Sequence, residues 1–390
     1  MSELSRARAE SEHAGANPSQ FDVLVMGGGI GGSSTAAILG QAGLRVGLID
    51  PLQVHAQHVA AALTPVISRD DNVRARLARL GATLAGQFWG QLGPAVATPC
   101  GALQLQRPEG AKRVVDLKAQ ADAFAQPDWA RWVEPDEASA YAGLPLTSGG
   151  IWFPAGWLVR VPQLLETLQS MSNVTVRRSA VHVLRETASG WLAQDERGRP
   201  IAQGSTVVLA NAFDVLGLLA RSGLTEQLAD CDRLPAMHRL AGEITLLPAQ
   251  TVGGGPRCVV GGDGYVLPAV NGWCVSGGTY VRDAEQAVCS QAGRLTNLKR
   301  AQQLLGLGVQ APTDVTSLPG WAGWRAVLPG RLPAIGPLPN RDGKRSGLWV
   351  MTAGASRGLT WSVLGATLIR DQIEGRESVV DQVLSHAIRP

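Results

Sequence analysis

Cysteine is scarce in this chain of 390 residues, and the five present, Cys100, Cys231, Cys258, Cys274 and Cys289, are odd in number and far apart. That pattern excludes a disulfide framework and any CxxC metal pair, and it makes a reducing cytoplasm the expected compartment. A large excess of charge is missing as well. The formal net charge is +3, so charge alone gives no reason to infer a nucleic-acid partner. Residues 1–20 hold no apolar stretch able to act as a secretory signal or membrane span, and Arg6 and Arg8 beside Glu3, Glu10 and Glu12 read as a solvated, disordered tail. No internal repeat is evident. His182 and His238 lack metal-ligand spacing, so no metal site is expected.

What is present is globular, with 45% hydrophobic against 17% charged residues, in a chain long enough for one enlarged α/β domain or two interleaved ones. Residues 21–26 (FDVLVM) form a short apolar run that ends directly in glycines, as a buried parallel strand does. Residues 30–42 mix the small Ser33, Ser34, Ala36 and Ala37 with Ile38 and Leu39, predicting a helix slim enough to lie close to a sheet. Residues 44–49 read as the second strand, with Asp50 at its carboxyl end and Pro51 breaking the run. Helical periodicity follows over 71–92, then strand-like runs at 102–106 and 151–153 and four more between 174 and 211. Residues 242–247, 258–260, 265–267 and 273–276 predict an antiparallel second sheet, followed by a helix over 292–305. A buried strand at 348–351 and an amphipathic helix over 359–373 come last. The expected class is α/β: a Rossmann-like dinucleotide-binding domain from 21–90, 150–230 and 320–390, interleaved with an α+β substrate domain from 91–149 and 231–319 built on the antiparallel sheet.

Gly27, Gly29 and Gly32 have the GxGxxG spacing, which allows a tight turn, contact between helix and strand, and close approach of backbone N–H groups, those of Ile30 and Gly31 included, to a pyrophosphate. Asp50 follows where it can accept hydrogen bonds from ribose hydroxyls, and its charge repels a 2′-phosphate, which disfavours NADP. This loop does not separate FAD from NAD. Farther on, Gly354, Ala355, Ser356, Arg357, Gly358, Leu359 and Thr360 follow a strand and open a helix, offering a cofactor a second set of N–H donors.

Together the two loops resemble the amino-acid-oxidase (DAO) family of flavoenzymes, and more closely its MnmC-like branch, the FAD-dependent oxidoreductase part of a bifunctional tRNA enzyme. Similar blocks run in the same order: GGGIGG at 27–32, ALTPVIS at 62–68, GALQLQ at 101–106, AGLPLTSGGIWFPAGW at 142–157, GGDGYVLPA at 261–269, GWRAVLPGRLPAIG at 323–336 and ASRGLTW at 355–361. The resemblance implies FAD as cofactor, with further contacts from Pro51, His58, Ala62, Val181, Ala210 and Asn211, and it implies a carboxylate-binding role for Arg325. For the branch it implies work on the tRNA wobble uridine, where a carboxymethylaminomethyl group loses its carboxymethyl part. Three departures stand out. The branch's methyltransferase half has no counterpart, so methylation needs a separate methyltransferase. A small Ser/Gly-rich stretch is replaced by His55-Ala56-Gln57-His58-Val59, and an Arg-Asp pair by Pro329-Gly330.

Oxidising a C–N bond beside a carboxylate requires holding the anion, keeping the amine uncharged and presenting the carbon hydrogen to flavin N5. Arg325 suits the first task, because a planar guanidinium grips a carboxylate bidentately; the alternative is an ordinary salt bridge. No general base is demanded, since hydride transfer leaves an iminium ion that water hydrolyses, with molecular oxygen the expected reoxidant. Tyr265 and Tyr280 either face the substrate or pack in the core. Trp152, Trp157, Trp321 and Trp324 either stack on a nucleobase or, the favoured reading for aromatics on strands, pack in the core. Arg74, Arg76, Arg79, Lys112 and Arg113 either touch a tRNA backbone or form a solvated face. His55 and His58 line the flavin or, alternatively, attach it covalently. Two other functions stay open: an oxidase of a free amino acid such as glycine, sarcosine or a D-amino acid, and a non-catalytic flavin-binding protein. A tRNA substrate requires an open mouth and a basic rim, whereas a free amino acid favours a closed pocket.

Overall fold

The computed structural model describes residues 19–51, 58–107, 115–306, 314–339 and 347–390. His55, Lys112, Arg113 and residues 1–18 lie outside them. Five parallel strands form the centre of the first sheet, in the order Val174–Arg177, Val46–Ile49, Ser19–Met26, Pro200–Leu209, Leu348–Thr352. All four residues of Val46–Ile49 and the last four of Ser19–Met26 are buried, which explains their unbroken apolar runs. The first strand starts at Ser19, inside the expected tail. Ser19 and Gln20 register with Ala202 and Gln203, so backbone pairing rather than apolar side chains extends it. Val183–Thr187 and Gly190–Gln194 form a hairpin, antiparallel to the first half of Pro200–Leu209.

Helix Ile30–Gln41 is buried continuously from Gly32 to Gly40, and its small residues permit this. It packs against helix Gly358–Glu374, as does Val73–Gly90. At Gly81 a Cβ would overlap the Thr360 carbonyl oxygen, so those two backbones nearly touch. The expectation of an amphipathic last helix is corrected here. Leu359 to Ile369 and Asp371 are all buried, because Gly358–Glu374 is covered by the other two helices as well as by the sheet.

The second sheet has the order Gly320–Val327, His238–Pro248, Trp273–Gly277, Gly264–Val266, Val259–Gly262, Ala102–Leu105, Gly150–Phe153, Arg131–Val133. It is antiparallel except where Val259–Gly262 runs parallel to Ala102–Leu105, which joins distant segments of chain. Gly150–Phe153 and Gly320–Val327, assigned from sequence to the dinucleotide domain, hydrogen-bond within this sheet instead. Gly320–Val327 has the composition GWAGWRAV and no two-residue period, and it takes its register from eight pairs with His238–Pro248. A three-stranded sheet of Ala61–Leu63, Trp157–Val159 and Ala97–Pro99 completes the frame. Among the described residues no helix is long and apolar enough to cross a membrane.

Candidate active site

The phosphate loop is a cradle that side chains would fill. Gly27 has φ +102°, and a Cβ there would lie 2.7 Å from the Ala210 carbonyl oxygen. A Cβ on Gly28 would lie 2.9 Å from Asp50 Oδ2, and one on Gly32 would overlap the Gly27 carbonyl oxygen. Helix Ile30–Gln41 begins at Gly29 with no side-chain cap, leaving its first N–H groups and its positive end for an anion. The loop is held from behind: Ser33 Oγ donates to the Gly28 carbonyl at 2.9 Å, and Gln169 Nε2 donates to that carbonyl and to Ser33 Oγ at 3.1 and 3.0 Å. Arg178 Nη2 donates to Gln169 Oε1 at 2.8 Å, while its Nη1 lies 3.7 Å from Asp50 Oδ2. Neither Gln169 nor Arg178 was singled out from the sequence.

Gly27, Asp50, Ala210 and Asn211 thus gather at the carboxyl ends of adjacent parallel strands. Pro51 is exposed beside them, and Val181 packs against the apolar cluster under the same sheet. This half fits the adenosine and pyrophosphate of FAD: a glycine cradle, an uncapped helix end and a carboxylate for ribose hydroxyls.

A cavity of about 710 Å³ opens next to it, lined by the second sheet, by Ala61 and Ala62 of the three-stranded sheet, and by the first residues of helices Ile30–Gln41 and Gly358–Glu374. Ile30, His58, Ala62 and the run Ser356, Arg357, Gly358, Leu359, Thr360 line it, together with Tyr265, Tyr280 and Arg325. Most expected site residues therefore meet on one wall or the other; Gly354 lies behind, against Gly358. The Gly358–Glu374 helix also starts without a side-chain cap. Arg357, just before it, donates Nη1 to the Thr64 carbonyl at 3.0 Å. Burial and the nearby Arg74 charge push its guanidinium down to about 10, so an anionic group in the cavity would be favourable there.

Arg325 lies across the second sheet. Its Nη1 donates to the Thr279 carbonyl at 3.2 Å, and its Cζ sits 4.6 Å from the Tyr280 ring centroid. Tyr280 is 56% exposed, so it is a mouth residue rather than core. Burial pushes the Tyr265 phenol up to about 12, despite the opposing Arg325 charge, and keeps it a neutral hydrogen-bonding group. His58 lies 4.7 Å from Trp321, ring to ring, and both line the cavity. Trp321 and Trp324, read as core from sequence, are cavity residues. Trp152 stacks on Tyr141 at 4.0 Å and Trp157 packs beside Gly86, so both are packing residues.

Arg107, Arg300 and Arg331 also line the cavity, with Asp263 between the first two at 3.8 and 3.6 Å. The earlier candidates for a basic face behave otherwise. Arg76 pairs with Asp381 at 3.0 Å and Arg79 with Asp71 at 2.6 Å, so local acids take up their charge. No cysteine is suited to nucleophilic chemistry: burial pushes Cys100 and Cys231 up to about 11, Cys258 and Cys274 to about 12, and Cys289 upward as well.

The FAD dependent oxidoreductase (DAO) family matches residues 22–372. The chain belongs to this family. It is an FAD-dependent oxidoreductase, and FAD is the group that the two uncapped helix ends fit. Over 412 residues it is 32% identical to the tRNA 5-methylaminomethyl-2-thiouridine biosynthesis bifunctional protein MnmC of Burkholderia multivorans, covering 98% of this chain and 61% of that protein. The protein of the same name from Cupriavidus necator is 32% identical over 418 residues, with 97% and 61% covered. The chain therefore spans about three fifths of the length of these relatives. Glycine oxidase from Geobacillus kaustophilus superposes with a TM-score of 0.71 at 19% identity, over 93% of this chain and 97% of that one. Iminodiacetate oxidase from Chelativorans sp. BNC1 gives 0.70 at 22% identity, over 94% and 98%. These two show the shared fold.

Proposed function

We propose that this DAO-family enzyme oxidises the C–N bond next to a carboxylate in a tRNA-borne secondary amine, removing the carboxymethyl group of carboxymethylaminomethyluridine at the wobble position. The observation that carries the reading is Arg325, a fork of N–H donors on the wall of a cavity that the second cofactor-loop helix also enters. The names of the MnmC relatives support a tRNA substrate. Arg331, with Arg107 and Arg300 sharing the single carboxylate of Asp263, leaves an excess of positive charge at the same cavity, which supports a polyanion. Iminodiacetate, named for one structural neighbour, is itself an N-carboxymethyl amine.

Arg325 holds the carboxylate through two charge-assisted hydrogen bonds and thereby orients the adjacent methylene. The Tyr265 phenol, neutral throughout the physiological range, offers a hydrogen bond beside it, and Tyr280 shields the guanidinium from water at the mouth. The Gly27–Gly32 loop and the start of Gly358–Glu374 would hold FAD, which would supply a hydride acceptor for that methylene. Loss of that hydride would turn the neutral amine into an iminium ion, whose C=N bond water would split into glyoxylate and the aminomethyl product. That product is a primary amine, the group on which a methyltransferase would act. Molecular oxygen is the proposed reoxidant, and the cytoplasm, where tRNA resides, the proposed compartment.

The test is anaerobic bleaching of the purified flavoprotein. Carboxymethylaminomethyl-bearing tRNA should reduce the flavin and release one glyoxylate per flavin, far faster than glycine or sarcosine does. Reduction by glycine or sarcosine alone would replace this reading with a free amino-acid oxidase. No reduction by any of them would favour a non-catalytic flavin protein.

A further inference from the structure

Arg325 reaches its partners by crossing a neighbouring strand. It belongs to Gly320–Val327, which pairs with His238–Pro248; Gly242 of the latter registers with Gly323. On the far side of His238–Pro248 runs Trp273–Gly277 and its continuation, tied back where Val281 bridges Ala241. Thr279 and Tyr280, the two groups that Arg325 contacts, belong to that continuation. The guanidinium therefore lies over the middle strand, directly above Gly242. A Cβ at Gly242 would overlap both Arg325 Nη1 and the Thr279 carbonyl oxygen that Nη1 binds. By contrast, a Cβ at Gly278 would stand 3.4 Å from Arg325 Nη2, an ordinary contact.

We propose that Gly242 is a positioning residue for carboxylate recognition: it provides the slot in which the Arg325 guanidinium is held flat between Thr279 and Tyr280. Its φ is not in the left-handed region, so the demand for glycine comes from this slot and not from the turn of the backbone. Thr279 is itself fixed, because its N–H donates to the Glu243 carbonyl at 3.1 Å and its hydroxyl accepts from the Glu243 N–H at 3.0 Å. Arg300 Nη1 donates to the Gly278 carbonyl at 2.8 Å from the opposite side. An added methyl group must therefore displace the guanidinium and also press on the Thr279 carbonyl, which disturbs the donor and its acceptor together.

The inference rests on the carboxylate-binding role given to Arg325 above, and the experiment separates the two. Binding of glycolate to the holoenzyme is followed through the flavin absorbance in wild type, Gly242→Ala, Arg325→Ala and the double variant, with FAD content and melting temperature measured on each. Gly242→Ala should weaken glycolate by roughly tenfold or more while retaining FAD, and should add nothing in the Arg325→Ala background. An Arg325→Ala variant that binds glycolate normally overturns the functional reading, and the slot with it. A large Arg325→Ala effect with a normal Gly242→Ala overturns the slot alone, as does a Gly242→Ala effect that persists without Arg325. Should Gly242→Ala not fold, ethylguanidinium added to Arg325→Ala gives the second readout. Restored glycolate affinity supports the slot, and no restoration, or equal restoration by ethylammonium, overturns it.

Discussion

Arg325→Lys separates a planar carboxylate clamp from a simple positive charge. Arg325 is anchored through Nη1 on Thr279, with its Cζ over Tyr280, and its remaining N–H groups are left for a substrate. A lysine ammonium keeps the charge and three donors, but it lacks the planar fork that meets both carboxylate oxygens side by side while bonding the Thr279 carbonyl. It should lose one charge-assisted hydrogen bond, about 1.5–3 kcal/mol, which is roughly 10- to 150-fold in affinity. Alanine loses both bonds, about 3–6 kcal/mol, or roughly two to four orders of magnitude. The assay is anaerobic flavin reduction over a range of carboxymethyl-amine concentrations, which yields the substrate Kd and the limiting rate separately. Kd should rise in the order wild type, lysine, alanine, with FAD content unchanged. An alanine variant whose Kd stays within about threefold of wild type would refute the clamp, and loss of FAD from Arg325→Lys would make the residue structural.

Gly32→Ala should abolish FAD binding in a fluorescence titration, because its Cβ would overlap the Gly27 carbonyl and open the loop; an unchanged FAD Kd would count against the cradle. Arg178→Ala removes the support of Gln169 and the cation beside Asp50, and should weaken FAD by roughly three- to thirtyfold without changing the substrate Kd. Iodoacetamide at pH 7.5 should leave the native enzyme active, since burial raises all five thiols; rapid inactivation would contradict that placement. Tyr265 has a native pKa raised from 10.0 to about 12, so the folded state holds this proton more tightly than the unfolded one. Its contribution is fully present below pH 10 and is lost as the pH rises through about 12. Tyr265→Phe should therefore flatten the alkaline fall in denaturant stability, and an identical fall in both proteins would argue for an exposed phenol.

The first strand, the GxGxxG turn, the slim helix and Asp50 were legible because each is a local pattern with one physical reading: a strand that ends in glycine, a helix that starts without a cap, and a carboxylate at the next strand end. The second loop was legible for the same reason. Strand Gly320–Val327 was not, since its register comes from His238–Pro248 and not from its own alternation. Trp321 and Trp324 were misread as core because an aromatic on a strand has the same sequence signature whether a second layer or a cavity faces it. Gln169 and Arg178 support the phosphate loop from more than 130 residues away, a relation that only the fold creates. Gly242 was invisible for a related reason: what a missing side chain makes room for depends on the strand next door.

The order of the chain around Arg325 brings the two halves of the proposed site together. Gly320–Val327 lies in the second sheet, yet Ala334–Pro337 and Leu348–Thr352, which follow it, lie in the first, and Gly358–Glu374 starts soon after. One continuous stretch therefore delivers the proposed carboxylate clamp and the uncapped start of Gly358–Glu374 to the same cavity. The Ala355 N–H donates to the Ala326 carbonyl at 3.0 Å, one residue from Arg325 and one from Ser356. That backbone bond ties the strand bearing Arg325 to the chain just before the helix. Hydride transfer tolerates little error in the distance from donor carbon to flavin. A direct backbone tie between the two elements would limit this error, and it can form because the strand bearing Arg325 pairs in the second sheet while its continuation returns to the first.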